Sequence, residues 1–117
     1  MRHANKKKKM NRDSAHRRAL ASNMARNLIE KEKITTTLAK ARFLRPYIEK
    51  LVTRAAEDTV HNRREVKKKL KDRNLVNRLF EDIGPRFADR PGGYTRIIKL
   101  DRRVGAGAEK AIIEFVE

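Results

Sequence analysis

The sequence predicts an α+β fold, with helices packed on one face of a small three-stranded sheet and a basic N-terminal arm. Three observations point there. Apolar residues recur every three or four positions through the middle of the chain, the mark of helices with one buried face. Two segments of the last third, residues 94–100 and 111–116, are rich in β-branched and aromatic side chains and read as strands. The first 12 residues hold four consecutive lysines and only Met1, Ala4 and Met10 as apolar residues, so burial there cannot offset the entropy of ordering the backbone. The 117 residues therefore divide into an arm, 1–12, and one domain, 13–117.

The elements follow in order. Asp13 and Ser14 are good helix caps, and Ala15, Ala19, Leu20, Met24 and Leu28 then recur near helical spacing, which predicts a helix over 14–31. Its other face presents Arg17, Arg18 and Arg26. Residues 34–37, Ile34-Thr35-Thr36-Thr37, are β-branched throughout and predict a short strand, with Thr37 placed to cap the next helix. From Leu38, the positions Ala41, Leu44, Ile48, Leu51 and Ala55 mark one buried helical face reaching to about residue 58. Pro46 lies inside it. A proline removes one backbone donor and crowds the preceding turn, which predicts a kink near 42–45 or a split into two helices. Asn62 is read as the cap of a mostly exposed helix to residue 72, anchored by Val66 and Leu70 alone. Asn74 is read as the cap of another, in which Leu75, Val76, Leu79, Phe80 and Ile83 form core and which Gly84 and Pro85 end. The two late strands, joined through residues 102–107, make an antiparallel hairpin, and the strand at 34–37 completes the sheet.

Charge narrows the function. Thirty-one Lys and Arg against 15 Asp and Glu leave a formal +16, far more than solubility requires. The excess lies in three blocks: eight basic against one acidic residue in 1–18, seven against two in 61–73, and six against two in 85–103. One such block is usually a solvated face. Three in so short a chain favour a surface that meets a polyanion, where each neutralised phosphate releases counterions. A membrane surface is disfavoured by the absence of Trp, the 5% aromatic content and the lack of any long apolar run. The opening Met1-Arg2-His3-Ala4-Asn5-Lys6 does not read as a signal peptide, so a cytosolic location is expected. Zero Cys excludes disulfides, thiolate-bound metals and a Cys nucleophile.

No catalytic constellation emerges. His3, His16 and His61 lack the spacing of a zinc site, and the carboxylates read as partners of neighbouring cations, Glu30 with Lys33 for instance. Neither an enzyme activity, a cofactor nor a small-molecule substrate is expected. Gly92-Gly93 has no following Lys-Ser or Lys-Thr and is not a nucleotide-binding loop. It is still the most pointed local motif. In Arg90-Pro91-Gly92-Gly93-Tyr94-Thr95-Arg96 the glycines would let main-chain amides approach a phosphate, with Tyr94 as a ring and Arg90 and Arg96 as forks. The same residues equally suit an ordinary loop entering a strand, with Tyr94 packed inward. Zinc-finger spacing, a basic zipper and an RNA-recognition strand signature are all absent, so phosphate and shape contacts should dominate. Charge alone leaves a nucleoid-type DNA-binding protein as the alternative.

Specific motifs go further. Met1-Arg2-His3, Asn11-Arg12 with Ser14 and His16-Arg17, Ile34-Thr35-Thr36-Thr37 with Lys40-Ala41, Asn62-Arg63-Arg64, Leu79-Phe80, Gly84-Pro85-Arg86-Phe87 and Gly92-Gly93-Tyr94-Thr95-Arg96-Ile97 stand in order and spacing along essentially the whole chain. In them the sequence resembles the bacterial large-subunit ribosomal protein number seventeen family, departing at the run Lys6 to Lys9, where relatives often carry a Gly-containing basic segment. The resemblance implies a two-layer α+β protein without activity, bound to large-subunit ribosomal RNA near the rim of the peptide exit tunnel, beside other large-subunit ribosomal proteins. Carried onto matched positions, it makes Arg2, His3, Lys6, Lys7, Lys8, Lys9, Arg12, His16 and Arg17 the expected RNA contacts of the arm and first helix. Arg63, Arg64, Arg90, Gly92, Gly93, Tyr94 and Arg96 complete the expected set.

Overall fold

The computed structural model describes residues 13–100 and 109–116. The first helix, α1, spans Ser14–Lys31. Asp13, in extended backbone, caps it by accepting the His16 amide at 2.8 Å, which satisfies one of the free donors of the first turn. It closes at Glu32, whose backbone turns left-handed (φ 66°) and whose N–H donates to the Leu28 carbonyl at 2.7 Å. Both predicted ends are thus found, but burial starts later than the apolar spacing implied. Ala15 and Ala19 are exposed, and the buried face consists of Ala21, Ser22, Met24, Ala25, Leu28 and Ile29. The first turns of α1 therefore overhang the core, and a small side chain there carries no burial.

The strand β1, Lys33–Thr37, follows at once, and the Thr37 hydroxyl accepts the Lys40 amide at 3.2 Å to cap α2, Leu38–Ala55. The helix α2 runs unbroken through Pro46, so the expected split does not occur. Two features explain it. Buried residues continue on both sides of the proline, from Leu38, Ala41 and Leu44 to Ile48, Leu51, Val52 and Ala55. Arg42 and Pro46 are both exposed, so the carbonyl deprived of its donor lies on the solvent side of the helix, where the missing bond costs least.

Two caps differ from expectation. Thr59, not Asn62, caps α3 (Val60–Leu70), accepting the Asn62 amide at 3.0 Å, while the Asn62 side chain donates to the Glu57 carbonyl at 2.8 Å. Asp72, not Asn74, caps α4 (Arg73–Arg78), accepting the Leu75 amide at 3.1 Å. Thr59 and Asp72 have the extended backbone that a cap requires, and each asparagine lies inside the first turn.

Gly84 and Pro85 do not end the next helix either. The helix α4 passes into a wider π-type segment, Leu79–Ile83, and then into a short α5, Gly84–Arg86. Pro85 sits in the first turn of α5, where its missing N–H costs little. Gly84 has helical backbone (φ −56°), so its small size is needed for contact and not for a turn. A Cβ there would lie 2.5 Å from the Ala55 carbonyl oxygen at the end of α2.

The sheet adds β2, Thr95–Lys99, and β3, Lys110–Phe115, in the order β1-β3-β2 with both pairings antiparallel. The joining segment, 102–107, lies outside the described residues. Ala111, Ile113 and Phe115 of β3 point into the core under the helices. The register sets Lys33, Glu114 and Arg96 in one row of the opposite face, and Thr35, Ile112 and Ile98 in the next. The core joins Leu28, Ile29, Leu44, Ile48, Leu79, Phe80 and Ile83 to Ile113, with Phe87 between Tyr94 and Phe115 at ring separations of 5.5 and 6.1 Å.

Candidate nucleic-acid interface

The arginines separate into two groups by what surrounds them. Arg26, expected on an outward face, is turned into the fold. Its guanidinium donates to the Leu70 carbonyl at 2.8 Å, to the Ser22 hydroxyl at 2.7 Å and to the Asn23 side chain. Ser22 in turn donates to the Lys69 carbonyl at 2.6 Å, so α1 supplies donors to the free carbonyls ending α3. Arg63, an expected RNA contact, is held by Asp58 at 2.6 and 2.9 Å and by Asn77 at 2.9 Å, with its guanidinium 5.1 Å from the Phe80 ring centre. The Arg63 guanidinium keeps the Asp58 carboxyl below its usual range.

The left-handed residue Glu32 is the centre of a second cluster. Its carboxylate receives Arg86 at 2.6 Å and Arg78 at 2.8 Å, and Arg86 also reaches Asp82 at 3.2 Å. Arg78 further donates to the Glu30 carbonyl at 3.0 Å. This clasp ties the end of α1 to the α4–α5 segment. Hydrogen bonding from Arg86 lowers the Glu32 carboxyl pKa, and the same pairing raises that of Arg86. The expected partnership of Glu30 with Lys33 is not found among the ion pairs of the described residues; Glu32, between them, carries the pairing.

Other cations face outward. Arg64 and Lys68 occupy the side of α3 opposite its buried Val66 and Leu70, Lys67 is exposed on the adjoining flank, and exposed Lys71 and Arg73 follow in the turn. Lys68 pairs with Glu65 at 2.8 Å, whereas Arg64, Lys67, Lys71 and Arg73 have no ion pair among the described residues. The three lysines of the last turn also suit the negative end of the α3 dipole. The spacing of this stripe was readable once the helix was placed, although only Arg64 of it stood among the expected contacts. On the α1 overhang His16 lies 3.4 Å from Asp13, Arg17 donates to Ser14 at 3.2 Å, and Arg18 is exposed. Arg2, His3, Lys6, Lys7, Lys8, Lys9 and Arg12 lie outside the described residues.

The Gly-Gly turn has the second of its two possible forms. Both glycines have positive φ, 153° and 65°, which favours glycine. The amides, however, already have an anion. The Glu49 carboxylate on α2 accepts the Gly93 amide at 3.0 Å, the Thr95 amide at 2.9 Å and the Thr95 hydroxyl at 2.8 Å. Tyr94 is only 4% exposed, packs on Phe87, and lies 3.1 Å from the Thr53 hydroxyl through its own. Arg90 and Arg96 remain on the surface, Arg96 paired across the strands with Glu114 at 2.7 Å. Glu49 is the residue that sequence reasoning missed. It lies 44 positions from Gly93, and no local pattern links the two.

A cleft of about 1140 Å³ opens beside this turn, between α2 and the outer parts of α1 and α3. Phe43 and Tyr47 line it together with Lys50, Arg54 and Lys69. No described helix is long and apolar enough to cross a membrane, and no three His, Asp or Glu side chains gather as a metal site requires among the described residues.

Comparison with known proteins agrees with the motif resemblance. The sequence model of the family described as Ribosomal protein L17 matches residues 20–116. A protein of Salinibacter ruber called large ribosomal subunit protein bL17 is 52% identical over all 117 residues. The chain spans 59% of the length of that relative.

Proposed function

Because the chain belongs to the ribosomal protein L17 family, we propose that it is a non-catalytic structural constituent of the bacterial large ribosomal subunit. In this reading it works in the cytoplasm and binds large-subunit ribosomal RNA through phosphate and shape contacts. One observation carries the proposal. Arg64, Lys67, Lys71 and Arg73 stand exposed together without a carboxylate partner among the described residues, while other arginines of the same chain are paired internally. Gathering like charges is unfavourable, and a facing phosphate backbone offsets that repulsion.

Arg64, His16, Arg17, Arg90 and Arg96 are the described arginines and histidine of the expected contact set that face outward or line an open surface, and the arm residues extend them. Gly92, Gly93 and Tyr94 act in this reading as the frame that aims Arg90 and Arg96. Arg63 serves mainly to fix α3. Neighbouring large-subunit ribosomal proteins are further partners in the proposal, and a position near the rim of the peptide exit tunnel rests on the family resemblance alone.

Sedimentation of cell extract through sucrose at physiological salt tests the reading. The protein is expected in the large-subunit fraction, and recovery only in the soluble fraction would refute it. Competition between structured RNA and duplex DNA for the purified chain separates ribosomal RNA binding from the nucleoid alternative, which predicts that DNA competes at least as well.

A further inference from the structure

We propose that the cleft along α2 accepts one unpaired RNA base, with the neighbouring phosphates lying on its cationic rim. The inference rests on the RNA-binding reading above and adds the form of the RNA and the place where it binds.

The shape of the cleft is the first support. Its volume of about 1140 Å³ is slightly above the roughly 300–1,000 Å³ typical of small-molecule pockets. It therefore has room for a nucleotide with its flanking backbone. The second support is the floor. Phe43 and Tyr47 are four residues apart on α2 and so lie one turn apart on the same side of the helix. Both are only partly buried, and neither stacks on another aromatic ring among the described residues. The remaining described aromatics, Phe80, Phe87, Tyr94 and Phe115, are all core. Two rings left half open in an otherwise aromatic-poor chain offer a stacking platform, and every base has a face that fits one.

Charge is the third support. Arg17, Lys50, Arg54 and Lys69 stand around this floor against two carboxylates, Glu49 and Glu57. Glu49 is already occupied by the Gly93 and Thr95 donors, which leaves Glu57 as the only lining acid without such engagement among the described residues. Burial raises the Tyr47 pKa, so its hydroxyl stays uncharged beside phosphate. Apolar rings inside a ring of cations match a nucleotide, which is itself a flat ring between anions. An apolar peptide side chain would offer no acceptor to Lys50 and Lys69.

The test uses the full chain and two RNA hairpins, identical except that one carries a single bulged 2-aminopurine. The bulged hairpin is expected to bind roughly tenfold more tightly than the fully paired one, with fluorescence quenched as the base stacks. Tyr47→Leu should abolish the quench and most of that preference while leaving binding to the paired hairpin unchanged. The double variant Lys50→Gln with Lys69→Gln, at exposed positions that spare the core, should weaken binding to the bulged form several-fold more than to the paired one. Equal binding of the two hairpins by the unmodified chain, or a quench unaltered in both variants, overturns the cleft inference while RNA binding stands. Failure to bind either hairpin at low salt overturns both readings.

Discussion

The clasp around Glu32 and the outer face of α3 use the same kind of side chain for opposite purposes. In the clasp, Arg78 and Arg86 converge on one carboxylate from a segment about fifty residues away in sequence, and their charge is neutralised inside the molecule. On α3, Arg64 and Lys67 stand one turn apart, with Lys71 just beyond, and none of the three has an acid of its own among the described residues. A net charge of +16 is thus not spread evenly in its effect. One group of cations links distant elements, whereas the other is held in like-charge proximity with no carboxylate partner among the described residues. Substitution should separate the two: changes in the clasp alter stability, and changes on the outer face alter affinity for RNA.

The largest effect is expected from removing residues 1–12, which carry six of the 31 basic residues. RNA affinity should fall by about a hundredfold at physiological salt, with a shallower salt dependence, while the melting temperature stays nearly constant. An unchanged salt slope in filter binding would show that the arm makes no phosphate contacts. Next comes Glu32→Ala. It leaves Arg78 without its carboxylate and Arg86 with Asp82 alone, and should cost about 1–2 kcal/mol in urea unfolding, the range reduced by the partial exposure of the site. RNA binding by the folded variant should not change.

Neutralising Arg64, Lys67 and Lys71 together to Gln should do the reverse. Affinity is expected to drop about tenfold and the salt slope to fall by about 1 for each phosphate no longer neutralised, with stability within about 0.5 kcal/mol per site. Glu49→Gln keeps one acceptor oxygen but replaces the other with an NH2 that cannot accept from the second amide, so a loss of about 1–2 kcal/mol is expected by thermal unfolding. The smallest effect is that of acid. The folded pKa of Glu32 is depressed below its ordinary 4.5, so the stability it contributes is complete above that value and is lost as pH falls through the folded one. Asp58 and Glu65, held down by Arg63 and Lys68, act in the same direction. Urea midpoints measured from pH 6 to pH 3 should decline for the unmodified chain, and Glu32→Ala should flatten the part due to the clasp.

Much of the fold was legible in local pattern, because local pattern is what determines it. The apolar spacing from Ala41 to Ala55, the cap at Thr37 and the β-branched runs that became β1, β2 and β3 each specify their element within a few residues. Errors arose where two local answers fitted equally well, or where the answer was not local. Asn62 and Asn74 are good capping residues, yet Thr59 and Asp72 lie just upstream in the extended backbone that decides the matter. Gly84 and Pro85 suggest a stop, but the chain continues helically because Gly84 must press against the Ala55 carbonyl, an approach that no neighbouring residue announces. The candidate interface divides similarly. The cationic stripe of α3 follows from helical spacing, whereas the inward turn of Arg26, the Glu32 clasp and the occupation of the Gly93 amide by Glu49 span 44 to 54 positions and required the tertiary structure.

The central place of β3 in the sheet has a consequence during synthesis. Residues 110–115 are translated after both other strands, yet β1 and β2 both pair with them and not with each other. Until they emerge, two strands lack partners and the helical layer has no sheet to cover. Helices can form early as the chain grows, but closure of the loop of about seventy residues between β1 and β3 must wait until β3 has been made. Nascent chains stalled before residue 110 should therefore remain sensitive to protease at β1, and chains extended far enough for β3 to leave the ribosome should become resistant.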